Sequence, residues 1–176
     1  MKKQIFITNG MARCGKDTFA IFLNGCVNTY KVSSIDIIKK IAEFCGWDGG
    51  KTEKDRKFLS DLKVLTSEYS DLAFKYISGC IEEFMEDEYY SVMVIDIREP
   101  AEIKKVVEAF GAKTVLIKND NAPKIDSNMA DAGVFDYEYD IILENNGTLD
   151  EFREAVKRFV EDYVEVDCDI LETHLR

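Results

Sequence analysis

Histidine is all but missing from this 176-residue chain: the only one, His174, stands in a polar tail. With it goes the commonest general base and metal ligand, so no zinc site is expected. The five cysteines (Cys14, Cys26, Cys45, Cys80, Cys168) lie far apart, with no Cys-x-x-Cys among them. An odd, scattered set reads as free thiols in a reducing cytoplasm and not as a disulfide framework. No run approaches the ~18 apolar residues of a membrane span. The stretch from Met1 to Thr8 also lacks the apolar core of a signal peptide. Arginine is scarce, with six in all and none between Arg98 and Arg153. The net charge of −11 argues against a nucleic-acid polymer or an anionic membrane as partner. An anionic ligand would depend on a few well-aimed cations and backbone N–H groups.

What is present suits one folded domain, with 46% apolar and 32% charged residues. Strand and helix patterns alternate throughout. Gln4–Thr8, Val27–Val32, Ser91–Ile97, Thr114–Ile117 and Tyr139–Leu143 read as strands. Phe19, Phe22, Leu23 and Cys26 repeat at helical spacing, as do Ile35, Ile38, Ile41, Ala42 and Cys45. Thr52–Asp87 reads as two helices broken near Thr66–Ser70. Pro100 opens a further helix that ends at Gly111. Thr148-Leu149-Asp150-Glu151 is a capping box ahead of a last amphipathic helix. Asn119–Gly133 shows no periodicity and reads as a long loop. The alternation predicts an α/β fold with a five-stranded parallel sheet, helices on both faces, and a ligand beyond the carboxyl ends of the strands.

Gly10-Met11-Ala12-Arg13-Cys14-Gly15-Lys16 fits G-x-x-x-x-G-K. Such a loop folds its N–H groups around phosphate oxygens, and the helix behind it points its positive end the same way. Lys16 carries a mobile charge to the β- and γ-phosphates of a nucleoside triphosphate. The motif follows the first strand and opens a helix, as that mechanism requires. The next position usually holds Ser or Thr, whose hydroxyl binds Mg²⁺. Here it is Asp17, followed by Thr18, and either could serve the metal.

Asp96 and Arg98 share one side of the third strand at its carboxyl end. Asp96 could hold a water of the Mg²⁺ shell and Arg98 could clamp a phosphate, the bland option being a pair with a helix-start carboxylate. Ser33, Ser34 and Asp36 follow the second strand and could simply cap a helix. On pattern alone Arg56, Lys57, Asp61 and Lys63 form a solvated helix face, and Asn145-Asn146-Gly147-Thr148 forms a turn.

Together these segments resemble the P-loop kinases, specifically the deoxynucleoside monophosphate kinases and their bacterial and phage relatives. The likeness rests on Gly10–Thr18 with its Gly-Lys-Asp variant, Gly46-Trp47-Asp48-Gly49, the stretch from Arg56 to Lys63, Asp96-Ile97-Arg98-Glu99-Pro100, and Asp140–Asn146 with Gly147-Thr148-Leu149. Gly-Lys-Asp also occurs in animal-type phosphomevalonate kinases. The resemblance implies a three-layer α/β/α P-loop NTPase fold with strand order 2-3-1-4-5. It also implies Mg²⁺-dependent transfer of the γ-phosphoryl of ATP to a nucleotide monophosphate, with Lys16, Asp96 and Arg98 as catalytic residues. Gly10 to Thr18 would hold the ATP phosphates, and Asn145, Asn146 and Gly147 would lie by the adenine. Ser34, Asp36, Arg56, Lys63 and Arg98, within a helical segment of about 34–90 and just beyond it, would line the acceptor side. A lid over about 119–133 would offer Lys118 and Lys124 where such kinases usually bring arginines. Another phosphorylated metabolite as acceptor, or a nucleotide-binding regulator with little transfer, stays open. So does oligomeric state, with a homodimer as one option.

Overall fold

Five short runs of β-branched and apolar residues pair side by side in the computed structural model, which describes residues 2–122 and 133–165. They are β1 (Gln4–Asn9), β2 (Thr29–Ser33), β3 (Val92–Asp96), β4 (Lys113–Lys118) and β5 (Ile141–Glu144). All pairs are parallel, in the order β2-β3-β1-β4-β5, as expected. Among the described residues six helices connect or flank them: α1 (Lys16–Asn24), α2 (Asp36–Phe44), α3 (Glu53–Ser70), α4 (Leu72–Glu86), α5 (Pro100–Phe110) and α6 (Leu149–Tyr163).

Period-2 alternation sorts the sheet into two cores. Phe6, Val92, Val94, Val115 and Ile117 face α1 and α6, where Phe159 meets Phe6 and Phe19 edge-on at 5.1 and 5.2 Å. Ile7, Val32, Met93 and Ile95 face α4 and α5. Strands buried on both faces have no polar alternation, which explains their continuous apolar runs. On the α1 side the same alternation carries Thr8, Lys31 and Asp96 toward the carboxyl edge. α3 buries no residue completely and lies outside, against α2 and α4.

Several boundaries depart from the sequence reading, and three of them have a clear local reason. β2 starts at Thr29 and not Val27, because the amides of Cys26 and Val27 both turn back to the Leu23 carbonyl. β5 starts at Ile141 and not Tyr139, because Asp140 bonds the amide and hydroxyl of Thr114 with its side chain. The long helical stretch breaks at Asp71, past Thr66–Ser70. There the backbone is left-handed (φ 54°), a conformation aspartate tolerates, and Lys105 of α5 pairs with the carboxylate at 2.7 Å.

The amino edge of the sheet is closed by a clasp. Gln4 donates to the Tyr163 carbonyl and accepts from the Glu165 amide, and Lys2 pairs with Glu165 at 2.7 Å. α6 therefore runs from the ligand edge back to the opposite edge.

Candidate active site

The central strand β1 delivers the glycine-rich loop to the carboxyl edge, and Asn9 fixes its start. This side chain is fully buried. It accepts from the Gly10 amide and donates to the Arg98 carbonyl and the Tyr139 hydroxyl. The Tyr139 hydroxyl in turn donates to the Val134 carbonyl at 2.8 Å, and burial pushes its pKa up to about 12. Three left-handed positions follow within six residues: Gly10 (φ 147°), Arg13 (φ 63°) and Gly15 (φ 109°). That is how a short chain curls its amides inward. A Cβ on Gly10 would stand 2.3 Å from the Ile117 carbonyl oxygen.

Gly15 is the N-cap of α1 and provides no side-chain cap. The first-turn amides of a helix have no partner within it, so this end is left for an anion. Lys16 folds over the loop and donates to the carbonyls of Gly10 and Met11 at 2.7 and 3.0 Å. The Cys14 thiol lies buried beneath it. Burial raises its pKa, with Lys16 pulling the other way, so it is no reactive thiolate. Met11 and Ala12 complete the loop, half-buried, with Arg13 exposed.

Beside the loop the strand ends form a polar chain. The Thr8 hydroxyl donates to one oxygen of Asp96. The other oxygen lies 3.2 Å from the Lys31 ammonium, which also hydrogen-bonds Asp17 in the first turn of α1. Lys31 holds the Asp17 carboxyl below its usual pKa. Burial would lower the pKa of Lys31, but the two carboxylates outweigh it and keep the value raised. The two aspartates thus converge on one cation. They are hard oxygen donors suited to Mg²⁺, whose remaining ligands are commonly water and substrate phosphate. Among the described residues no group of three or more His, Cys, Asp or Glu could hold a metal, so these donors fit an ion that arrives with a phosphate ligand. Thr18 is half-buried in the same helical turn.

Next to this chain lies a second cluster. Lys63 of α3 donates to Ser34 Oγ, Glu99 and Glu102 at 3.0, 2.6 and 2.8 Å. Its side chain is only 12% exposed, which corrects the pattern reading of a solvated face. Burial raises the pKa of the Glu102 carboxyl, and Lys63 only partly offsets this. Burial also acts on Glu99, but there Lys63 prevails and the value is lowered. Asp36 accepts from the Ser33 amide at 2.8 Å and pairs with Lys39, so its visible role is local. Arg56 lies exposed near the start of α3, two turns before Lys63. Arg98 lies half-buried just past β3, which ends at Asp96.

From the other side, Asn145 donates to the Cys14 carbonyl at 2.8 Å and so joins the end of β5 to the loop. Asn146 is tied to Asp120 and Asn121, and Lys118 pairs with Asp120 at 3.3 Å. Gly147 leads into Thr148, which caps α6 in the expected capping box. Lys124 and most of the expected lid lie outside the described residues. Lys31 and Glu102 went unnoticed at the level of sequence, Glu99 stood only as part of the Asp96–Pro100 segment, and Asn9 was given no role in the site. Polar residues ending an apolar strand were the available signal for Asn9.

The sequence model of the deoxynucleotide monophosphate kinase family matches residues 69–156, half of the chain. That stretch contains Asp96, Arg98 and Asn145. Among solved structures, the dephospho-CoA kinase of Campylobacter jejuni shares 20% identity, covering 91% of this chain and 97% of that one, with a TM-score of 0.50. A Thermus thermophilus protein shares 17%, covering 94% and 100%, also with a TM-score of 0.50. Both likenesses are of fold. No curated protein matches the chain by sequence. None of these similarities lends support to a homodimer.

Proposed function

The chain belongs to the deoxynucleotide monophosphate kinase family and is a phosphotransferase, and from that premise we propose that it moves the γ-phosphoryl of ATP to a (deoxy)nucleoside monophosphate in the cytoplasm, with Mg²⁺. The observation that carries this reading is the convergence of Asp17 and Asp96 on one cation beside a loop with three left-handed positions. Lys16 and the loop amides hold the donor phosphates, with Asn145, Asn146 and Gly147 beside the adenine. Asp17 and Asp96 hold the metal, with Thr18 as a further oxygen donor. Bound there, Mg²⁺ supplies charge neutralisation between the β- and γ-phosphates. Ser34, Asp36, Arg56, Lys63 and Arg98 line the acceptor side, on the helical segment of about 34–90 and the connection into α5. The acceptor phosphate is already a nucleophile, so no dedicated base is required, and catalysis is positioning plus charge stabilisation.

A second reading, a different phosphorylated metabolite as acceptor, is favoured by the Gly15-Lys16-Asp17 variant, which also occurs in phosphomevalonate kinases. A coupled ADP-release assay over nucleoside monophosphates and other phosphorylated metabolites separates the readings. Turnover with one nucleotide, lost in Lys16→Ala, is expected. Turnover only with a non-nucleotide acceptor moves the assignment to the second reading. ATP binding without any acceptor-stimulated release refutes both.

A further inference from the structure

We propose that Lys31 is a built-in counter-ion: its ammonium occupies the Asp17–Asp96 position in the nucleotide-free protein and yields it to the divalent cation that arrives with the triphosphate. The inference rests on the reading of this edge as a Mg²⁺–nucleotide site. Its basis is a juxtaposition that the phosphate-loop motif does not require. Asp17 comes from the start of α1 and Asp96 from the end of β3, yet both face one ammonium, with Asp96 at 3.2 Å.

Without that ammonium, the carboxylates of Asp17 and Asp96 would lose the one cation they share. Lys31 reaches them from below. Its Cα registers with Val94, two residues short of Asp96, so the four-carbon stem must climb to the strand end. A compact point charge on a flexible stem suits a place that has to be both filled and vacated. An arginine fork would be harder to dislodge. Thr8 holds the other oxygen of Asp96 and keeps the carboxylate aimed.

There is also somewhere for the stem to go. A groove of about 310 Å³ opens beside the pair, lined by Asp17, Ala20, Ile21, Asn24, Thr29 and Lys31 itself. Asn24 and Thr29 supply polar atoms to a withdrawn ammonium. For the free ion, without nucleotide, charge and space favour one cation at a time. Two carboxylates and one ammonium carry −1, two carboxylates and Mg²⁺ are neutral, and all four together would press the ammonium against the metal. Metal alone must therefore compete with Lys31, whereas metal carried by a triphosphate brings further ligands.

The test is a Mg²⁺ titration without nucleotide, read by melting temperature and calorimetry, on the wild type, Lys31→Met and Lys31→Met/Asp17→Asn. The expectation for Lys31→Met is a lower melting temperature in metal-free buffer and a rise on adding Mg²⁺. Its Mg²⁺ affinity should be ~10-fold or more tighter than that of the wild type, within the range usual for coupled ligands. The double variant should lose the rise. A flat Mg²⁺ response in Lys31→Met, or a wild type that binds the free ion equally well, overturns the inference.

If Lys31→Met does not fold, amine acetylation of the wild type read by mass spectrometry decides. Lys31 should label faster with Mg²⁺–ATP than with ATP in chelator, and equal labelling overturns the inference. Normal Mg²⁺–ATP binding combined with either negative result sinks this inference alone. Absence of ATP binding in the wild type sinks the functional reading beneath it.

Discussion

Asn145 is a buttress of the phosphate loop: its amide donates to the Cys14 carbonyl at 2.8 Å, and its own backbone N–H is held by the Lys118 carbonyl at 2.7 Å. The contact needs a donor. Asn145→Ala removes it and should weaken ATP binding by about fivefold, equivalent to the ~1 kcal/mol of one net hydrogen bond. Asn145→Asp should bind ATP more weakly still, because a carboxylate would face a carbonyl oxygen. Calorimetry on the two variants checks the order, and the reverse order would remove the buttress.

The two glycines of the loop are not equally replaceable. Both are left-handed, so alanine at either is strained by about 1–3 kcal/mol. At Gly15 the added Cβ meets the end of the Asn145 side chain at 2.5 Å, and that side chain can turn away at the cost of its hydrogen bond to Cys14. At Gly10 it meets the Ile117 backbone oxygen, in the neighbouring strand β4, at 2.3 Å. Gly10→Ala should therefore lose clearly more stability in urea melts than Gly15→Ala. Equal losses would mean that β4 can move aside.

The cluster around Lys63 sets a pH dependence. The pKa of the Glu102 carboxyl is raised above the usual 4.5 by burial, so in the window above 4.5 the folded state holds more protons than the unfolded chain. The stability this provides is complete below 4.5 and is lost as pH rises through the raised folded value. Glu102→Gln cannot titrate. Urea melts in steps from pH 4.5 upward should show the wild type losing stability relative to Glu102→Gln. A parallel course would show that the burial of Glu102 has no such effect.

What could be read in advance follows from what is local. The glycine-rich loop is a contiguous motif between a strand and a helix, and the Thr148 cap lies within four residues, so both were legible. So was Pro100 at the start of α5. The strand order was available only through the family resemblance, because periodicity reveals strands but not their neighbours. Lys63 looked solvent-facing because its partners Glu99 and Glu102 are 36 and 39 residues away. Lys31 lay unremarked inside the second strand. Only the juxtaposition of β2, β3 and α1 shows it facing two aspartates. Asn9 has nothing in the pattern to mark it beyond its place after an apolar strand, although three hydrogen bonds make it the hub from which the loop departs.

The clasp at the amino edge has a practical meaning for anyone who tethers this molecule. Gln4 and Glu165 sit at one end of the 15-residue α6, and the phosphate loop sits at the other. At a rise of 1.5 Å per residue the separation is about 20 Å. A dye, a bead or a sensor chip coupled beside the clasp would leave the ligand edge facing solution. The two tethering points would also report on the same small patch, so a signal from the far edge would have to be carried along α6.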